Sequence, residues 1–268
     1  MEKWKIGVIA VLLLGLVGYG ISQQKSGTPQ DATVEAMLAS NAAMPGVAAP
    51  GATAAPTENK AAAFIGQELG GDKIPVWTKV GPWENAKKPV SLDSLKGQPA
   101  LVEFFRINCS HCQDAAPFLE ALYKRYQPRG LKMAAVQSPG DYKDATNEET
   151  QWPKVQDFVK AGGLTYPVGM DKDSQYFQQT LDGTYYPTTM ITDKTGKVVY
   201  AQTGHDTEKS IKLAVELEKQ LPGKGTPKER AADLAKFLRP FIFGNGKVDD
   251  TLYKSLADDL EQRLMGKV

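Results

Sequence analysis

An apolar run is followed closely by two cysteines and an amphipathic segment, and this order limits the fold more than any other part of the sequence. Residues 100–105 are apolar except for Glu103 and have the length of a buried strand. Cys109 and Cys112 come next, and apolar residues then recur at helical spacing as far as Tyr126. This order predicts a strand, a turn and a helix, with Cys109 at the N-terminus of the helix.

Strand-like and helix-like segments alternate after this unit, and the pattern closes with a hairpin and a helix. The hairpin is marked by the turn Asp193-Lys-Thr-Gly between two apolar runs. Such alternation predicts an α/β fold in which helices flank a central mixed sheet. The predicted strands are residues 131–136, 167–170, 188–192 and 197–203, and the predicted helices are residues 152–161, 174–181 and 207–221.

The N-terminal segment has the character of a membrane-targeting sequence. Lys3 and Lys5 precede an uncharged, mostly apolar run over residues 6–21. This run is slightly shorter than the about 20 residues of a spanning helix and slightly longer than the about 7–15 residues of a signal-peptide core. We expect residues 1–22 to be an uncleaved membrane anchor rather than a cleaved signal peptide. Either would export the rest of the chain, and a buried soluble helix is the third alternative.

The rest of the chain divides into three parts by composition. Residues 23–63 are rich in Ala, Pro and Gly, which predicts a disordered linker. Residues 64–221 carry the α/β pattern, and residues 222–268 form a C-terminal helical extension. A capping box at Thr226 and Glu229 starts its first helix, and a second amphipathic helix follows. We expect the extension to pack against the domain, with partner docking or dimerisation as alternatives.

The two cysteines allow three chemical interpretations. A structural zinc site takes four ligands, but the chain has only two cysteines and two histidines, and His111 lies between the cysteines. A structural disulfide across two residues would close a very short loop and restrain little. A redox pair is favoured, because a helix N-terminus stabilises the thiolate that reacts in disulfide exchange. Cys109 would then attack and Cys112 would resolve the mixed disulfide.

Two stretches of the sequence resemble the thioredoxin superfamily. Residues 102–112, VEFFRINCSHC, resemble its active-site strand and turn, and residues 185–189, YYPTT, resemble its cis-proline loop. Residues 92–102 and 187–198 are similar to the TlpA/ResA-like, membrane-anchored branch, whereas the Cys-Ser-His-Cys turn is closer to the DsbA type. The resemblance implies a thioredoxin-like fold and a thiol–disulfide oxidoreductase whose redox centre is a Cys109–Cys112 disulfide, with no other cofactor and no metal.

Two neighbours of the cysteines are candidates for tuning their chemistry. The imidazole of His111 is expected to stabilise the Cys109 thiolate, and an exposed turn residue is the alternative. Glu103 lies in an otherwise apolar strand, so burial should raise the pKa of its carboxyl. Such a group suits a proton acceptor for Cys112, and the resemblance implies a buried acid at this place. The alternatives are that Glu103 reaches water or pairs with Lys or Arg.

The predicted substrate contacts come from the proline loop and the turn. The resemblance implies a cis peptide bond at Pro187, beside the cysteines, whereas a trans proline at the start of a strand is the alternative from the residues alone. The backbone of Tyr186 would then pair with an extended substrate, and Ser110, between the cysteines, is assigned to substrate contact. His205 follows the last predicted strand and is expected to be a solvated loop residue.

The leading functional interpretation is an extracytoplasmic thiol–disulfide oxidoreductase acting on cysteines of exported proteins. Its partners would be those proteins and a membrane or extracytoplasmic redox donor or acceptor. The catalytic domain would be periplasmic and tethered to the cell membrane, or secreted after signal cleavage. The direction of exchange stays open. The similarity of the domain to the TlpA/ResA-like branch implies a reductase, whereas the Cys-Ser-His-Cys turn implies an oxidase or isomerase.

Two other classes of function remain as alternatives. A thiol peroxidase can share this fold, but Arg106 stands where the threonine of the peroxidatic motif is usual. A metal chaperone or an adaptor that binds partners through the C-terminal helices is the non-enzymatic alternative. A net charge of +1 gives no bulk attraction to nucleic acid.

Overall fold

The structure is a computed structural model that describes residues 61–69, 77, 80–138, 148–172, 185–244, 246 and 248–267. The predicted anchor at residues 1–22, nearly all of the predicted linker and the predicted helix at residues 174–181 lie outside the described residues. Within the described ranges, none of the helices has both the length and the apolar character needed to cross a bilayer.

The described residues form six strands and six α-helices. The strands are β1 Val80–Glu84, β2 Ala100–Phe105, β3 Lys132–Gln137, β4 Val168–Asp171, β5 Thr188–Thr192 and β6 Val198–Thr203. The helices are α1 Leu92–Leu95, α2 Ser110–Tyr126, α3 Glu148–Ala161, α4 Thr207–Gln220, α5 Pro227–Phe243 and α6 Asp250–Leu264, and a 3₁₀ turn, Gln127–Arg129, follows α2.

The strands form one mixed sheet in the order β1-β4-β3-β2-β5-β6. The central strand β2 pairs in parallel with β3 and antiparallel with β5, and β5 forms an antiparallel hairpin with β6. This arrangement confirms the predicted thioredoxin-like fold with helices around a mixed sheet. Strand β1 was not predicted, because Gly81 and Pro82 interrupt any strand pattern there.

Strand β2 is buried on both faces, and its alternating side chains enter two different apolar clusters. Leu101 and Phe105 belong to the cluster that includes α2, whereas Val102 and Phe104 belong to the cluster on the other face of the sheet. Glu103 lies two residues from both Leu101 and Phe105, so it shares their face of the strand. Its carboxyl is therefore directed to the face of the sheet that α2 covers, which is the face with the cysteines.

The C-terminal extension packs against the domain, as predicted. Its apolar residues join the same buried cluster as α2 and α4, and they include Leu234, Leu238, Leu256 and Leu260. The capping box is present, with Glu229 accepting from the Thr226 backbone at 2.8 Å. Buried Glu218 on α4 accepts from Arg129 Nη1 at 2.9 Å. This ion pair lies close to the junction between the domain and the extension, since Arg230 of α5 donates to the Glu218 carbonyl oxygen at 3.3 Å.

Candidate active site

Cys109 is the N-cap residue of α2, as predicted. Its backbone is extended, with φ −94° and ψ 119°, and its carbonyl oxygen accepts from the backbone N–H groups of Cys112 at 3.1 Å and Gln113 at 3.0 Å. The thiol is half-buried, and the next two residues, Ser110 and His111, are exposed. Free N–H groups and the macrodipole at this end of a helix favour negative charge. The position suits an attacking thiolate.

Cys112 lies one turn into α2 and is only 1% exposed. Its Sγ accepts from the backbone N–H of Arg106 at 3.5 Å. Burial raises the pKa of the Cys112 thiol, and the nearby groups Cys109 and Glu103 raise it further. Cys112 therefore stays protonated until a base takes its proton, which fits a resolving cysteine shielded from solvent.

Glu103 is the buried acid predicted from the strand pattern. Its side chain is 2% exposed, and its Oε1 has no hydrogen-bond partner among the described residues. In the sheet it stands between Ala135 of β3 and Thr189 of β5. Burial raises the pKa of the Glu103 carboxyl from 4.5 to about 8. The expected rise in pKa is confirmed, and the described residues provide neither an ion pair nor a route to water.

The proline loop lies directly beside the exposed cysteine. The Tyr186–Pro187 peptide bond is cis, as the resemblance implied. The Cys109 thiol donates to the carbonyl oxygen of Tyr186, with 3.8 Å between the two atoms. A polypeptide that reaches Cys109 would therefore meet the Tyr186 backbone at the same time.

Arg106 is a site residue that the sequence analysis missed. Its guanidinium lies over the Tyr186 ring, 4.4 Å from the ring centroid, while its backbone N–H contacts Cys112. Arg106 thus connects the buried cysteine with the loop that contacts Cys109. A charged residue placed immediately after a buried strand and before the cysteines was the signal in the sequence.

The two histidines have different environments. His111 is exposed on the first turn of α2, and its imidazole makes no hydrogen bond within the described part of the chain. Its tuning role stays a prediction. The prediction for His205 is confirmed in part: it lies in the loop after β6, but its ring is half-buried and packs 5.8 Å from that of Phe118, and burial lowers the pKa of its imidazole. The ring that covers His205 belongs to helix α2 of the domain, and Phe241 of the C-terminal extension packs on another edge of the same Phe118 ring.

A metal site finds no support in the described residues. They contain no group of three or more His, Cys, Asp or Glu side chains placed to hold a metal ion. The candidate site brings together two thiols, a buried carboxyl and a helix N-terminus.

Comparison with known proteins agrees with this geometry. The Redoxin family model matches residues 69–216, which is more than half of the chain. Thiol-disulfide oxidoreductase ResA of Bacillus subtilis (strain 168) is 32% identical over 124 residues, covering 46% of this chain and 63% of that protein. ResA of Bacillus thuringiensis (strain Al Hakam) is 30% identical over 128 residues, covering 46% of this chain and 65% of that protein. The match thus spans less than two thirds of the length of these relatives.

Among solved structures, a thiol-disulfide isomerase from Corynebacterium glutamicum has a TM-score of 0.46 and 19% identity, and the alignment covers 57% of this chain and 99% of that one.

Proposed function

The chain belongs to the Redoxin family, and its domain is that of a TlpA/ResA-like thiol–disulfide oxidoreductase. We propose that the protein exchanges a disulfide between Cys109–Cys112 and cysteines of exported proteins. The observation that carries the proposal is the asymmetry of the pair. Cys109 lies at an open helix N-terminus against the Tyr186 carbonyl, while Cys112 is buried behind it on the Glu103 face.

The geometry supports a two-step exchange. The Cys109 thiolate attacks one sulfur of a substrate disulfide, so that a mixed disulfide forms and the other substrate sulfur leaves as a thiolate. Glu103 then accepts the proton of Cys112, and the Cys112 thiolate attacks Cys109 Sγ. The substrate sulfur that was bonded to Cys109 then leaves as a thiolate. The protein retains a Cys109–Cys112 disulfide, and two electrons have passed to the substrate. The same steps in reverse oxidise a substrate dithiol.

The reduction potential of the pair tests the proposal and decides its direction. The full-length protein is equilibrated in glutathione buffers, with Cys109→Ser as the control that removes the couple. A potential near that of thioredoxin, about −270 mV, supports a reductase that draws electrons from a membrane or extracytoplasmic donor. A potential near that of DsbA, about −120 mV, supports an oxidant. If no two-electron couple is found, the exchange function is wrong.

The proposed location rests on the sequence of residues 1–22. Lys3, Lys5 and the apolar run that follows them support a single-pass anchor with the catalytic domain outside the cytoplasm. In intact bacterial cells expressing the protein, a membrane-impermeant thiol reagent should label Cys109, with Cys109→Ser as the control. Labelling that requires cell lysis would contradict this location.

A further inference from the structure

A cavity of about 220 Å³ opens beside the active-site turn. It lies between α2, the loop that follows β6 and helix α5 of the C-terminal extension. It is lined mainly by Asp114, Pro117, Phe118, His205, Asp206 and Phe241. Asp114 is two residues beyond Cys112, and the charges of His111 and Asp114 both act on His205. The cavity therefore adjoins the turn that carries the reactive cysteines.

Two phenylalanines contribute to the walls of the cavity, one from the domain and one from the extension. Phe118 of α2 is buried, and the Phe241 ring of α5 meets it edge-on with 5.1 Å between centroids. Phe241 is 38% exposed, although it is a large apolar residue. Exposed aromatic faces of this kind accept the methylene groups of long side chains and attract cations.

The charge on the rim is negative and only partly compensated. Asp206 caps α4 by accepting from the Lys209 N–H at 2.8 Å, and its Oδ2 lies 3.5 Å from Lys209 Nζ. Asp114 is exposed, and its carboxylate forms no ion pair or hydrogen bond with any of the described residues. Burial lowers the pKa of His205, which disfavours a compensating positive charge there. One carboxylate thus faces the opening without a cation.

We infer that this cavity is a recognition subsite for a lysine or arginine side chain of the polypeptide whose cysteine reacts with Cys109. Its volume is below the about 300–1,000 Å³ of pockets that enclose whole small ligands, so it suits one long side chain. The methylene groups would lie on Phe241 and the cationic end would meet Asp114. The inference rests on the proposed function, because it specifies the substrates of that same site.

The test compares two peptides that differ only in charge. Each peptide carries its cysteine as a mixed disulfide with 2-mercaptoethanol, and the second to fourth residues after the cysteine are lysine in one and glutamine in the other. The second-order rate constant of exchange with the reduced full-length protein is measured for both. Their ratio within each variant cancels any general loss of activity or stability.

We expect the lysine peptide to react about threefold to fivefold faster, which is the upper range for a partly exposed ion pair. In Asp114→Asn the ratio should fall to about one, and in Phe241→Ala it should fall part of the way. Asp157→Asn, which makes the same chemical change at an exposed position on α3, should keep the wild-type ratio. The preference should also weaken in 1 M salt, where the Debye length is about 3 Å.

Two results would overturn the subsite. One is an equal rate for both peptides in the wild-type protein, and the other is a preference that survives in both Asp114→Asn and Phe241→Ala. Hydroxyethyl disulfide, which is small and uncharged, separates this failure from a failure of the proposed function. If the reduced protein does not exchange with that reagent either, the oxidoreductase proposal itself is overturned.

Discussion

Replacing Glu103 by glutamine should change how the stability of the protein depends on pH. The carboxyl has a pKa of about 8 in the folded protein, against 4.5 for an ordinary glutamate. The folded state therefore holds this proton more tightly than the unfolded state does. This tighter binding of the proton contributes to the free energy of unfolding. The contribution is fully present below pH 4.5 and is lost as the pH rises to about 8. Glutamine is neutral throughout and shows no such loss.

The size of the effect follows from the shift in pKa. One pKa unit corresponds to about 1.4 kcal/mol, and the slope in this window is about 1.4 kcal/mol per pH unit. Between pH 5 and pH 8, the wild-type protein should lose about 3 kcal/mol of unfolding free energy relative to Glu103→Gln. Other titrating groups are common to both proteins, so their contributions cancel in the difference.

Urea unfolding of both proteins at pH 5, 6, 7 and 8 measures this difference. Glu120→Gln is a matched control whose difference from wild type should stay constant over this pH range, because its contribution is lost only at lower pH. Glu120 is also buried, but hydrogen bonds from Thr165 and the charge of Lys124 outweigh its desolvation and lower its pKa. Its contribution should be present above its unfolded pKa and lost as the pH falls through the lower, folded value. A difference between wild type and Glu103→Gln that stays constant from pH 5 to pH 8 would refute the reasoning.

Three further changes have distinct expected outcomes. Arg106→Gln should lower the rate of exchange with peptide disulfides about twofold to fivefold relative to the rate with hydroxyethyl disulfide, because Tyr186 of the proline loop loses its cation–π contact. Arg129→Gln removes a comparable contact, 5.1 Å from the centroid of the Tyr126 ring at the other end of α2, and should leave the ratio of the two rates unchanged. His111→Pro should shift the reduction potential to a more negative value, by about 30 mV for each 1.4 kcal/mol of lost thiolate stabilisation, and an unchanged potential in glutathione buffers would remove the tuning role. Glu218→Gln should lower the unfolding free energy by about 1 to 3 kcal/mol, because it replaces a charge-assisted hydrogen bond from Arg129 with a neutral one, and an unchanged unfolding free energy in urea titrations would contradict that account.

The sequence predicted those parts of the fold that depend on local patterns. The strand over residues 100–105, the helix that ends at Tyr126 and the hairpin of β5 and β6 were found at or near their observed bounds. Each has a regular apolar pattern or a turn signal within a few residues. Strand β1 has neither, and only its pairing with β4 makes it a strand.

In the candidate site too, some features follow from local sequence patterns and others depend on tertiary contacts. The position of Cys109 at a helix N-terminus follows from the neighbouring residues alone, and so does the presence of an acid within an apolar strand. The stacking of Arg106 on Tyr186 could not be predicted in this way. These residues are far apart in the chain, and they meet only because β5 pairs with β2.

By itself, the sequence determined that this protein carries a dithiol at the start of a helix, since strand, turn and helix signals are all short-range. The solvent exposure of each side chain in the site depends on the tertiary structure. Packing of α2 on the sheet buries Cys112 and leaves Glu103 without a partner in the described residues. Packing of Phe118 on His205 half-buries that histidine, and Phe241 of the C-terminal extension completes the lining of the cavity beside it. Desolvation depends on every element that covers a residue, so it is decided only when the chain has folded.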